Sequence, residues 1–218
     1  MYQYILFDLD GTLTDSKEGI VKCLQYAIGR LGDPVPDEEA LIKFIGPPLL
    51  DSFVEYCGYS EEKARQAVRF FQERYFPIGR FENVAAPGLT ALCRRLKDSG
   101  RVLALASSKP EALCTQICAY YGFSESMTAL VGSPSDRDWS KGEIIREACR
   151  RLGLTEKDRE HVLMVGDREF DVLGAAECGI VCVGVEFFGY AAPGELASAG
   201  AVAVVRTAEE LEAFILSH

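Results

Sequence analysis

Two aspartates stand two residues apart in Phe7-Asp8-Leu9-Asp10-Gly11-Thr12, directly after the apolar run Tyr4–Phe7. If that run is a strand, both carboxylates lie at its carboxyl end, where open α/β sheets hold their ligands. A calcium loop of the EF-hand kind needs a ligand at position five, glycine at six and glutamate at twelve. Counting from Asp8, Gly11 falls at position four and Gly19 at twelve, which excludes that loop. A polar strand-to-helix turn would need only one Asp. A second acidic pair occurs in Val165-Gly166-Asp167-Arg168-Glu169-Phe170-Asp171. Asp171 comes one helical turn after Asp167, on the same face. An N-cap role would account for one of the two. Carboxylates gathered in one crevice repel unless a hard cation neutralises them, and oxygen-only ligands favour Mg²⁺ or a similar ion.

Hydroxyls and an ammonium complete the set. Ser107 follows the run Val102–Ala106, with its hydroxyl placed to donate to an anionic oxygen, while Ser108 fits a helix N-cap equally well. Lys141, in Ser140-Lys141-Gly142-Glu143, begins a helix, where a cation opposes the helix dipole and calls for some other reason. A solvated surface lysine is the alternative.

The elements that must position these residues are visible as short apolar runs: Tyr4–Phe7, Val102–Ala106, Ala129–Val131, Val162–Val165, Ile180–Val183 and, more weakly, Ala201–Val205. Helical periodicity lies between them. Leu89, Leu92, Cys93 and Leu96 follow an i, i+3, i+4, i+7 pattern, as do Ile144, Ile145, Ala148 and Leu152. Ser140 with Glu143 and Thr207 with Glu210 fit capping boxes, and Gly100, Gly122, Gly153 and Gly179 stand where left-handed C-caps are expected. The expected fold class is α/β: a Rossmann-like, three-layer parallel sheet core. Between about Asp15 and Asn83 the pattern is helical without a convincing strand. Asp15 with Glu18, Asp37 and Ser60 each open a helix, the last carrying Ala64, Val68, Phe71 and Tyr75, with Gly46-Pro47-Pro48 as punctuation. This gives a core of residues 1–14 and 86–218 and a small helical cap domain, residues 15–85, inserted after the first strand.

Composition limits the partners. The chain has 218 residues, 48% of them hydrophobic, and a net charge of −10 without a Lys/Arg run, so no nucleic-acid partner is expected. No stretch approaches the ~18 apolar residues of a membrane span. The amino terminus lacks a basic, signal-like segment, and the eight cysteines show no CxxC spacing, so a reducing cytoplasm is the expected compartment. Cys114 and Cys118 share a helix face as a metal half-site would, but with only His161 and His218 in the chain a core role suits them better.

In order and position, Asp8-x-Asp10-Gly11-Thr12, Ser107, Lys141 and Gly166-Asp167-x-x-x-Asp171 resemble the four motifs of the haloacid dehalogenase-like superfamily. The resemblance covers essentially the whole chain. It implies that Asp8 is a nucleophile forming an aspartyl-phosphate and that Asp10 is the general acid and base. It further implies that Asp8, the Asp10 backbone carbonyl and Asp167 hold Mg²⁺, that Ser107 and Lys141 bind the transferring phosphoryl group, and that Asp171 orients the metal shell or Lys141. Dehalogenase relatives lack the second Asp, so Asp10 points to phosphate esters.

Asp15-Ser16, Phe44-Ile45-Gly46-Pro47-Pro48-Leu49, Ser107-Ser108-Lys109-Pro110, Gly166-Asp167-Arg168 and Phe188-Gly189-Tyr190 resemble the phosphoglycolate phosphatase-like branch. That likeness implies a small phosphorylated metabolite as partner and a monomer or homodimer. Gly11, Thr12 and Ser108 would contact substrate, with Lys43 reading the leaving group from the cap, although an exposed helix lysine explains Lys43 as well. Phe170 and the irregular Pro134–Trp139 depart from the branch near the expected pocket, where Trp139 either covers substrate or packs. A nucleotidase differs only in leaving group. A sugar-phosphate mutase would carry a different basic cap loop, a phosphonate hydrolase a Schiff-base lysine, and a binding module would not fill every catalytic position.

Overall fold

The computed structural model describes residues 1–134 and 139–218, so part of the segment expected to be irregular, residues 135–138, lies outside the described residues. Strand β1 (Tyr4–Phe7) is followed by β2 (Thr14–Asp15) and helices α1 (Lys17–Arg30), α2 (Glu38–Ile42), α3 (Leu49–Cys57) and α4 (Glu61–Tyr75). After β3 (Val84–Ala85) the chain alternates: α5 (Leu89–Asp98), β4 (Val102–Pro110), α6 (Glu111–Tyr120), β5 (Met127–Ser133), α7 (Lys141–Arg151), β6 (Val162–Gly166), α8 (Glu169–Glu177), β7 (Val181–Val185), α9 (Glu195–Ala199), β8 (Ala203–Val205) and α10 (Ala208–Ser217). The chain divides into two compact units, Met1–Thr14 with Ala85–His218, and Asp15–Val84. Among the described residues no helix is long and apolar enough to cross a membrane.

The first unit is a Rossmann-like α/β fold: a parallel sheet in the order β5-β4-β1-β6-β7-β8, with helices on both faces. Successive side chains of a strand point to opposite faces, and both faces are dry. Ile5 and Phe7 pack with Leu92 and Leu96 of α5, Ile117 of α6 and Leu211 of α10. Leu6 between them packs with Ile144 and Ile145 of α7 and Val172 of α8. Burial on both sides makes β1 apolar throughout instead of alternating.

Register then fixes the site. Phe7 pairs with Leu105 of β4 on one side and Val165 of β6 on the other, so the end of β1 lies level with Leu105 and Val165. The Asp8 amide continues the ladder by donating to the Val165 carbonyl at 2.9 Å. The strand order turns back between β1 and β6, the kind of crevice in which α/β sheets bind ligands.

The helical unit holds one more α-helix than the sequence pattern predicts, and a 3-10 turn at Gly79–Phe81. Pro48, read as punctuation, is the N-cap of α3. Asp37 and Ser60 cap α2 and α4 through their side chains. The α1 N-cap is Ser16, without a side-chain bond, while the Asp15 carboxylate accepts from the Lys17 amide. In α4, Ala64, Ala67, Phe71 and Tyr75 are buried, whereas Val68 is only half-buried. In the first unit the Ser140–Glu143 capping box forms. At α10 only half of one does, because Glu210 reaches past Thr207 to the Arg206 amide.

Candidate active site

Asp8 leaves the end of β1 with its side chain 12% exposed. The ammonium of Lys141, the first residue of α7, lies 2.7 Å from Asp8 Oδ1, 2.7 Å from Asp171 Oδ1 and 2.9 Å from the Ala106 carbonyl oxygen. Lys141 is therefore not a solvated surface residue. Two carboxylates and a carbonyl hold its charge against the α7 dipole, and Gly174 of α8 leaves room for its stem, since a β-carbon there would lie 2.8 Å from Lys141 Cβ. Burial works against the Lys141 charge, but Asp171 and Asp8 outweigh it and hold the ammonium above its ordinary range.

Asp167 follows β6 and accepts a hydrogen bond from the Thr12 hydroxyl at 3.3 Å. Asp171 Oδ2 accepts from the Arg168 amide at 3.1 Å, so both Asp171 oxygens are engaged within the chain. Asp8, Asp167 and Asp171 each offer an oxygen within 4.8 Å of the others, and all three are buried. Burial pushes Asp8 up from 3.8 to about 6, with Lys141 pulling the other way and Asp171 adding to the rise. Asp167 is held well above the ordinary range by burial, then by Asp171 and Asp8.

Ser107 is buried at the end of the apolar part of β4, and its Oγ is 3.4 Å from the Lys109 amide. Ser108 is exposed and does not cap α6, whose N-cap is Pro110. Asp10 reaches Lys109, whose ammonium is 2.5 Å from Asp10 Oδ2, while Asp10 Oδ1 is buried without a hydrogen-bond partner among the described residues. Gly11, at φ +84°, forms the turn between them, and its amide donates to the Thr14 carbonyl. Asp8, Asp10, Thr12, Ser107, Lys141, Asp167 and Asp171 thus converge on the tips of β1, β4 and β6. Lys43 belongs to the helical unit, where its ammonium lies 4.4 Å from the centre of the Tyr56 ring.

The model of the haloacid dehalogenase-like hydrolase family matches residues 5–185, a span that holds all four motifs. The chain belongs to that family. The hydrolase is 41% identical over 196 residues to a 5'-nucleotidase of Pseudomonas aeruginosa, covering 89% of this chain and 87% of that one. It is 34% identical over 218 residues to a plasmid-borne phosphoglycolate phosphatase of Cupriavidus necator, covering 97% and 92%. Among solved structures, a predicted phosphatase from Clostridium acetobutylicum superposes with a TM-score of 0.91 at 39% identity and 100% coverage of both chains. The hydrolase is accordingly a phosphatase, acting on phosphoric monoesters.

The donor set of this hydrolase fits a hard divalent cation. Three buried carboxylates face the ammonium of Lys141, and burial first, then mutual repulsion, displaces Asp8 and Asp167 upward, a cost that a bound cation would offset. Asp171 is spent on Lys141 and Arg168, which leaves Asp8 and Asp167 as the side chains that could hold an ion. Cys114 and Cys118 are no thiolate site, because burial raises both thiols, Cys118 to about 12. Trp139 packs against the core beneath α7 and α8, its amide donating to Ser133 Oγ at 3.0 Å.

One residue escaped the sequence reading. Lys109 stands in a segment noted only for its likeness to a branch, yet its side chain is 8% exposed and paired with Asp10. The signal was its position before Pro110, which keeps Lys109 extended at a strand tip beside the other motifs.

Proposed function

We propose that this hydrolase is a Mg²⁺-dependent phosphatase that cleaves small, phosphoglycolate-like monoesters through an aspartyl-phosphate on Asp8. The observation that carries the proposal is the Asp8 carboxylate held 2.7 Å from the Lys141 ammonium, with Asp10 two residues further on. Asp8, Asp167 and the Asp10 backbone carbonyl would hold Mg²⁺, which when bound reduces repulsion between carboxylate and phosphate. An Asp8 oxygen attacks phosphorus as the ester P–O bond breaks, and Asp10 supplies the proton that the leaving oxygen takes up. In the second half-reaction Asp10 takes a proton from water, which attacks phosphorus and releases Asp8 and inorganic phosphate. Lys141 and the Ser107 hydroxyl donate to the equatorial phosphoryl oxygens, where charge gathers in the transition state. A nucleoside monophosphate is the second substrate reading, favoured by the identity to the Pseudomonas enzyme.

Phosphate release from phosphoglycolate, nucleoside monophosphates and hexose phosphates, with Mg²⁺ and with chelator, tests both readings. Turnover of a small monoester that stops with chelator and is absent in Asp8→Asn is the expected result. Substantial turnover by folded Asp8→Asn would remove Asp8 as nucleophile, and indifference to chelator would remove the cation.

A further inference from the structure

β4 does not end as a regular strand. Between the pairs Ala106↔Val131 and Pro110↔Ser133, β4 advances four residues while β5 advances two, so the segment around Ser107–Lys109 bulges from the ladder. Such bulges re-aim side chains beside active sites. The bulge is held in place. A β-carbon at Gly132 of β5 would lie 2.6 Å from both the Lys109 carbonyl oxygen and the Glu111 amide nitrogen, so only glycine admits the bulged backbone this closely. The Cys114 thiol donates to the same Lys109 carbonyl at 3.4 Å, and the Lys109 amide faces Ser107 Oγ. From this fixed backbone the Lys109 side chain runs inward to Asp10 Oδ2.

We infer that Lys109 is a positioning residue: by holding Asp10 Oδ2 it fixes the carboxyl group so that Oδ1 is the oxygen that serves the leaving group. The proposal rests on the Asp8 and Asp10 roles given above. A carboxyl group free to rotate about χ2 presents either oxygen in a broad spread of orientations. Here one oxygen is tied by a charge-assisted bond and the other is buried with no partner among the described residues. A buried, unsatisfied acceptor is costly to keep, and a donor on the reacting molecule would relieve it, as would the leaving oxygen once Oδ1 carries the proton. The tight turn at Asp10–Thr14 fixes the backbone on the other side, through the Gly11 amide and Thr14 carbonyl. Lys109 itself makes no bond to the reacting atoms in this arrangement; it acts through Asp10.

A salt bridge that served only folding would affect all substrates alike. Positioning of the acid would not, because an alkoxide must be protonated to leave and a nitrophenolate need not be. The test compares kcat/KM, which ends with transfer to Asp8 and so excludes release of the phosphoryl group, for an alkyl phosphate and for p-nitrophenyl phosphate. Lys109→Met, of similar length without charge, is expected to lose about 10²-fold on the alkyl ester, within the range of positioned acid–base groups, and less than about tenfold on the aryl ester. Asp10→Asn should show the same bias, and the double variant no more than Asp10→Asn alone. Lys109→Gln, which retains a donor, should fall between wild type and Lys109→Met on the alkyl ester. Equal losses on both esters in either folded Lys109 variant, or additive losses in the double variant, would overturn the inference. Failure of the underlying reading is separate: it would appear as turnover in Asp8→Asn.

Discussion

Asp167 fits between the tips of β1 and β6 because position 11 has no side chain. Gly11 is at φ +84°, and a β-carbon there would meet the Asp167 carboxylate. Two penalties coincide, backbone strain of about 1–3 kcal/mol and displacement of a candidate ligand. Gly11→Ala is expected to lower stability by that amount and kcat by more than about tenfold. Gly58→Ala is the control. It shares the left-handed backbone, at φ +66°, but its β-carbon would meet nothing within 4 Å, so strain alone remains. Equal melting temperatures and an unimpaired kcat in Gly11→Ala would show that Asp167 needs no such clearance. The same principle operates at Gly166, where a β-carbon would run into the Asp171 side chain. Both glycines belong to motifs visible in the sequence, but the reason for each lies in a carboxylate more than one turn away along the chain.

At the scale of elements, the bulge in β4 depends on its neighbour. Gly132→Ala should push Lys109 and Glu111 away from β5, costing about 1–3 kcal/mol as overpacking does and lowering kcat/KM by moving Lys109 and Ser107 together. Urea denaturation and kinetics read the two effects; a variant with wild-type midpoint and rate would show that the bulge does not lean on Gly132. This dependence explains what the sequence could and could not disclose. Buried parallel strands are apolar on both faces, so β1, β4 and β6 were legible as runs, and with them the level at which Asp8, Ser107 and Asp167 would meet. The extension of β4 to Pro110 was not legible, because a bulge is decided by a glycine more than twenty residues later. Lys109 was passed over for that reason. Helix α3 was hidden differently: Gly46-Pro47-Pro48 reads as a break, yet proline is tolerated at a helix start, where its missing amide leaves no bond unmade. Lys141 was ambiguous until the packing of α7 on α8 turned it inward over Gly174.

For the whole molecule, the cost of the site is electrostatic. The chain carries a net charge of −10, and three buried carboxylates sit at the tips of its sheet with one ammonium among them. A carboxyl whose folded-state pKa lies above its unfolded value keeps its proton longer in the folded chain. Its contribution to stability therefore falls as pH rises through that interval, and the deficit is complete above the folded value. For Asp8 the interval runs from 3.8 to about 6, and Asp167 shifts in the same direction. Asp167 is the better probe, because its bond comes from the neutral Thr12 hydroxyl, whereas removing the Asp8 charge also takes a partner from Lys141. In chelator at pH 8, Asp167→Asn should melt above wild type by roughly 2–4 °C, the shift that about 1 kcal/mol gives in a domain of this size. Lowering the pH should close the gap, since the wild-type carboxyl then takes up its proton and loses the same repulsion. Adding Mg²⁺ at pH 8 should raise the wild-type melting temperature more than that of the variant, since the ion neutralises a charge that Asn does not have. A variant that melts below wild type in chelator at pH 8 would mean that Asp167 stabilises the fold by itself, and that the carboxylates do not wait for a cation.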